Sequence, residues 1–124
     1  MYGANNHMEV RLGSLVRDAQ EARGTAIIID VFRAFTTAAI AFDHGVKEIT
    51  LVAEPEEALQ LHRKGVGDFL MGEVAGKRPE GFDFGNSPYE ISQADLASKT
   101  LVQSTRAGTV GVAAAVNASG IYLG

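Results

Sequence analysis

The 124-residue chain contains no cysteine and no tryptophan, and only three prolines. Without cysteine there can be neither a disulfide framework nor a thiolate metal site, so a reducing cytoplasm is the expected compartment. Apolar stretches such as Ala26–Ile29 and Ala38–Phe42 fall far short of the roughly 20 residues needed to cross a bilayer, so no membrane association is expected. The start of the chain lacks the basic-then-apolar layout of a secretory signal. Positive charge is also sparse. The 11 Lys and Arg stand singly or in pairs against 15 Asp and Glu, for a net charge of −4. No basic stripe exists to track a nucleic-acid backbone, and nucleic acid is not an expected partner. What remains is 46% hydrophobic and 21% charged, the composition of a globular chain rather than a disordered tail. The length suits one domain, expected over residues 8–124, with residues 1–7 read as a frayed start or an appended remnant.

Apolar runs and turn residues alternate along the chain. Ala26–Ile29 is continuous and β-branched, as expected of a strand buried on both faces of a parallel sheet. Residues 33–44 turn helical, with Gly45 set to cap the end. Glu48–Ala53, Asp68–Met71, Thr100–Gln103 and Ser119–Leu123 read as further strands, and Pro55–Lys64 as an amphipathic helix. Further helices are expected from Pro88, over 106–117 and over 14–22, and Met8–Leu12 reads as an extra strand. This alternation predicts an α/β fold, a mostly parallel sheet with helices packed on its faces in α/β/α layers.

The densest local signal is Gly81-Phe82-Asp83-Phe84-Gly85-Asn86-Ser87-Pro88-Tyr89-Glu90. Ser87 and Glu90 with Pro88 between them form a capping-box pattern that opens a helix, and free N–H groups at such a start attract anions. In an open α/β sheet, ligands gather beyond the carboxyl ends of the strands. Polar residues cluster there at Asp30 with Arg33, at Glu73, at Asn86 with Ser87, and along Ser104-Thr105-Arg106-Ala107-Gly108-Thr109. Guanidiniums fork onto phosphate, and Asp30 and Glu73 are hard oxygen ligands suited to Mg2+. Each residue also has a structural reading. Arg33 can pair with Asp30 or Asp43, Thr36 and Thr37 can bond back to the preceding turn, and Asp83 can form a turn. None of the three histidines reads as catalytic. The 104–109 segment lacks the Gly-Lys-Ser/Thr ending of a P-loop.

Three segments together resemble the 2-phosphosulfolactate phosphatase family, which serves coenzyme M biosynthesis in methanogens. They are Ile29 to Thr37, then Gly72-Glu73 with Gly81 to Pro88, and Ser104 to Thr109, and the Gly-Phe-Asp-x-Gly-Asn-Ser-Pro run is the most specific. The resemblance implies an α/β fold and magnesium-dependent hydrolysis of a phosphate monoester that also bears sulfonate and carboxylate. It implies that Asp30, Arg33, Glu73, Asn86, Ser87, Arg106 and Thr109 sit in or near the site. The leading expectation built on it is that Asp30, Arg33 and Arg106 serve catalysis, that Asp30 and Glu73 hold the metal, and that Asn86, Ser87, Ser104, Thr105 and Thr109 bind substrate. Either water held by the metal or Asp30 itself would be the nucleophile. Two departures accompany the match. Arg106-Ala107-Gly108-Thr109 stands where many relatives carry Asn-Gly-Thr, which bears on substrate choice. Family members are also considerably longer, so the chain is expected to be the N-terminal part of a longer protein, and the family leaves room for a homodimer. The rival expectations are a non-catalytic module binding an acidic metabolite, and an interaction domain whose polar loops only cap helices.

Overall fold

A computed structural model describes residues 7–124. Ten elements follow one another: α1 (Leu15–Glu21), β1 (Gly24–Ile28), α2 (Ala34–Asp43), β2 (Glu48–Val52), α3 (Pro55–Arg63), β3 (Phe69–Gly72), α4 (Pro88–Ser92), β4 (Thr100–Ser104), α5 (Gly108–Ala114) and β5 (Ala118–Leu123). The fold is layered α/β and every strand pairing is parallel. The strands form two hydrogen-bonded sheets rather than one, β1 with β5 and, separately, β2-β4-β3.

The three-stranded sheet is covered on both sides, and period-2 alternation explains its sequence. Met71 and Leu101 face one cluster with Ala41, Val46, Ile91 and Leu96. Their neighbours Leu70 and Val102 face the other, with Val52, Ala58 and Phe82. A central strand used on both faces cannot afford an exposed polar position, so β4 is buried along Leu101–Ser104 even where it carries Gln103 and Ser104.

The helices begin where local chemistry directs. Pro55 and Pro88 occupy the first helical turn of α3 and α4, where a missing N–H costs nothing. Gly45 and Gly65 follow the ends of α2 and α3 with φ near 86° and 85°, the left-handed closure that glycine adopts without strain. Helix α5 spans only Gly108–Ala114 instead of 106–117, since residues 105–107 are spent on the turn out of β4.

Two expectations are corrected. Met8–Leu12 is not a strand: residues 7–14 have no regular structure and their side chains are exposed. The apolar alternation is present there, but no neighbouring strand receives its backbone groups, and an unpaired strand is not stable alone. The strand at 26–29 is not buried on both faces either. Ala26 is buried, while Ile27 and Ile29 are 64% and 73% exposed, because β1 has β5 on one side and its outward face is uncovered. Apart from His7, the expected frayed start lies outside the described residues.

Candidate functional site

The carboxyl ends of β3 and β4 and the turn after β1 converge on the loop joining β4 to α5. That loop is shaped first by two threonines. Thr109 Oγ1 accepts the Thr105 N–H at 2.8 Å and donates to the Thr105 carbonyl at 2.8 Å, while Thr105 Oγ1 accepts the Thr109 N–H at 3.3 Å. Both residues are buried. Buried backbone donors must find partners, and here two hydroxyls supply them within one turn.

Two carboxylates then fasten to the same loop from outside. Asp30 Oδ2 accepts the Gly108 N–H at 2.9 Å. Glu73 Oε1 accepts the Arg106 N–H at 3.5 Å and Oε2 accepts the Gly76 N–H. Residues 68–72 deliver Glu73 to this place through β3, and the Glu73 N–H donates to the Ser104 carbonyl at 3.0 Å. Two glycines make the approach possible. A Cβ on Gly108 would sit 2.9 Å from both Ala34 Cβ and Asp30 Oδ2, and one on Gly72 would run into the Ser104 carbonyl.

The guanidiniums stand at the edge of this arrangement. Arg106 is exposed and its Nη1 lies 4.0 Å from Glu54 Oε2. Arg33 precedes α2, is exposed, and pairs with no carboxylate among the described residues, Asp30 and Asp43 included. Its carbonyl accepts from Thr37 Oγ1 at 2.8 Å, and Thr36 Oγ1 reaches back to the Val31 carbonyl at 2.7 Å. Both hydroxyls thus brace the 30–34 turn.

The 81–90 run is mostly structural. Asp83 Oδ2 accepts the Leu70 N–H at 2.8 Å and pins the run to β3. Ser87 Oγ accepts the Glu90 N–H at 3.3 Å, which is one half of a capping box. The other half is redirected: Glu90 Oε2 accepts the Gly85 N–H at 2.9 Å, and Arg78 lies 3.7 Å from the same carboxylate group. Asn86 is buried, and its Oδ1 has no partner among the described residues. The same holds for Ser104 Oγ.

Of the residues singled out in the sequence, Asp30, Glu73, Thr105, Arg106 and Thr109 therefore meet on one loop. Arg33 lies at the far end of the Asp30 turn, and Ser87 bonds only within its own helix start. Sequence reasoning missed Glu54, which faces Arg106, and Gln103, whose Nε2 donates to the Ala34 carbonyl at 2.9 Å. Gln103 carried one legible signal, a long polar side chain directly after the apolar Leu101-Val102 pair of a central strand. The loop's N–H groups at 105, 106, 108 and 109 are all engaged by the protein's own side chains, so the exposed Arg106 guanidinium is the loop's charged anion donor.

Magnesium can be tested against this donor set. It takes one or two carboxylates and completes its shell with water and substrate oxygens. Among the described residues no three or more His, Cys, Asp or Glu side chains converge. The offer is a two-carboxylate one, in which Asp30 Oδ1 is uncommitted and Glu73 Oε1 is held only by a long contact. Hard oxygens in that number fit the ion.

The family model described as 2-phosphosulpholactate phosphatase matches residues 13–124. A "probable 2-phosphosulfolactate phosphatase" of Thermotoga petrophila is 40% identical over 85 residues, covering 68% of this chain and 37% of the relative. That of Bacillus subtilis is 39% identical over 97 residues, covering 78% and 42%. That of Deinococcus radiodurans is 42% identical over 86 residues, covering 68% and 35%. The matches thus span well under half the length of these relatives. A family model covering nine-tenths of the chain, with relatives near 40% identity, leads to one conclusion: the chain belongs to the 2-phosphosulfolactate phosphatase family.

Proposed function

We propose that this chain carries the carboxylate and guanidinium part of a magnesium-dependent phosphatase site. Its substrate is a small, highly acidic phosphate monoester, 2-phosphosulfolactate, which is cleaved to sulfolactate and phosphate. The observation that supports this most is the pairing of Asp30 and Glu73 on N–H groups two residues apart, Gly108 and Arg106. Both carboxylates are thereby tied to one loop, which also carries Arg106.

Asp30 and Glu73 would hold Mg2+, which supplies Lewis acidity toward phosphate oxygens. The chain's own residues do the rest. Arg33 and Arg106 would neutralise phosphate, sulfonate and carboxylate groups. The exposed, 4.0 Å contact between Arg106 and Glu54 is weak enough to yield to a dianionic phosphate. Hydrolysis breaks the bond between phosphorus and the ester oxygen. A water oxygen ends on phosphorus, either directly or after attack by Asp30, and a water proton ends on the departing alkoxide.

Family membership favours an enzyme over a pure binding module, and no helix among the described residues is long and apolar enough to cross a membrane. A cytoplasmic location is part of the same proposal.

The test is phosphate release from 2-phosphosulfolactate and a panel of small phosphate esters, with magnesium or with chelator, on this chain and on Asp30→Ala. Magnesium-dependent release that disappears in the variant is expected. Release indifferent to both chelator and the substitution overturns the reading, as does no release from a chain extended to the span of its relatives.

A further inference from the structure

Gln103 is fully buried at the end of the central strand β4. It lies on the Leu101 face of that strand, and its Nε2 donates to the Ala34 carbonyl at 2.9 Å. Its Oε1 has no hydrogen-bond partner among the described residues. A glutamine in this state is a poor choice for packing alone, since burying an amide oxygen without a donor is unfavourable and an apolar side chain of similar volume would avoid it. The part of Gln103 that is used is the N–H, and it is used on a single backbone oxygen.

That oxygen belongs to the turn that carries Asp30. The chain runs from Asp30 to Ala34, and the Phe35 N–H closes the turn by donating to the Asp30 carbonyl at 3.0 Å. From the other end of the turn, the Asp30 carboxylate returns to the Gly108 N–H at 2.9 Å. Two hydrogen bonds of long sequence separation, Gln103 to Ala34 and Gly108 to Asp30, therefore clamp the 30–34 turn to residues 103–108. The clamp matters because β1 and β4 lie in different sheets. No strand ladder fixes the turn after β1 relative to the loop after β4.

We infer that Gln103 is a positioning residue for the site, holding the Asp30 turn against the 104–109 loop so that the Asp30 carboxylate stays on the Gly108 N–H. Gln103 does not touch substrate. It sets where Asp30 stands, in the way supporting shells fix reacting groups within a fraction of an ångström. The inference rests on the reading of Asp30 as a site carboxylate, but its structural half is testable without turnover.

The experiment is amide hydrogen exchange followed by NMR on the chain and on Gln103→Met, which keeps length and volume and removes the donor. Protection of the Gly108 amide is expected to fall at least tenfold in Gln103→Met, with protection of Leu101 and Val102 in β4 unchanged and the thermal midpoint held. Unchanged Gly108 protection overturns the inference. So does a uniform loss along β4, which would mark Gln103 as structural only. If Gln103→Met does not fold, Gln103→Leu replaces it. The wild-type Gln103 Nε2 protons give an independent check: they should exchange at least tenfold more slowly than those of the exposed Gln60, and equal rates overturn the inference. In the phosphate-release assay, kcat should fall about tenfold in Gln103→Met with KM held within twofold. No release from the chain extended to the span of its relatives would defeat the phosphatase reading while leaving the exchange result to decide the role of Gln103.

Discussion

Asp30 and Gly108 are 78 residues apart in the chain, and the Asp30 carboxylate accepts the Gly108 N–H at 2.9 Å. The contact joins the turn after β1 to the start of α5, and it depends on a residue with no side chain. The Gly108 N–H is one of the donors a helix start leaves unpaired, and the protein fills it with an acid that it also presents to the rim.

Gly108→Ala should break this contact. Its Cβ would lie 2.9 Å from Ala34 Cβ and 3.0 Å from Phe35 Cζ as well as against Asp30, and neither neighbour has room to retreat inside a packed layer. Overpacking of this kind costs about 1–3 kcal/mol. Urea denaturation should register that loss, and phosphate release should fall with it.

Thr109→Val tests the paired threonines. Valine matches the shape of threonine but strips the Thr105 N–H of its acceptor and the Thr105 carbonyl of its donor. A buried donor left unsatisfied costs about 1–3 kcal/mol. Thr109→Ser keeps the hydroxyl and should recover most of the difference in the same denaturation experiment.

Ser87→Ala removes the acceptor for the Glu90 N–H at the start of α4. The expected cost is about 1 kcal/mol, and Ser87→Asp should restore it. Because the sequence reading expects Ser87 to bind substrate, the two variants also separate capping from binding. Equal stability with unequal KM would assign the hydroxyl to substrate.

Asp68 sets the pH dependence that can be signed. Its carboxylate accepts the Thr100 N–H at 2.8 Å and the Thr100 hydroxyl at 3.0 Å, and these bonds, the backbone one first, hold its pKa below the ordinary value. A depressed folded-state pKa means that the unfolded chain binds protons first as pH falls. The stabilisation is therefore complete above the unfolded pKa of about 3.9 and is lost as pH drops through the folded value. Thermal midpoints of the wild type and Asp68→Asn should differ most near neutrality, with the wild type higher. The gap should close in acid. A gap independent of pH would deny the carboxylate this role.

Much of the fold was legible in the chain. Thr100–Gln103 read as a strand, as β4 is, and Pro55, Pro88, Gly45 and Gly65 marked helix ends by their own backbone preferences. The strand read at Met8–Leu12 failed on a point that alternation cannot encode, since apolar spacing names a face but not a partner edge. Ile27 and Ile29 failed in the same way: a continuous apolar run says that burial is available, and only the arrangement of neighbours says whether it is taken.

The candidate site divides along the same line. Asp30, Glu73, Arg106 and the Ser104–Thr109 loop were readable as carboxylates, a guanidinium and a polar turn at strand ends, because residue type and position after an apolar run are local properties. Which N–H each carboxylate holds was not readable, nor that Thr105 and Thr109 satisfy each other, nor that Glu54 faces Arg106. By itself the sequence determined the α/β alternation, the starts of α3 and α4 and the inventory of groups at the rim, since those follow from backbone preference and hydrophobic period. The tertiary structure alone decided the division into two sheets and the hydrogen bonds that bring residues 30, 73, 103 and 108 together. Those contacts span dozens of residues, and their geometry is fixed only when the layers pack.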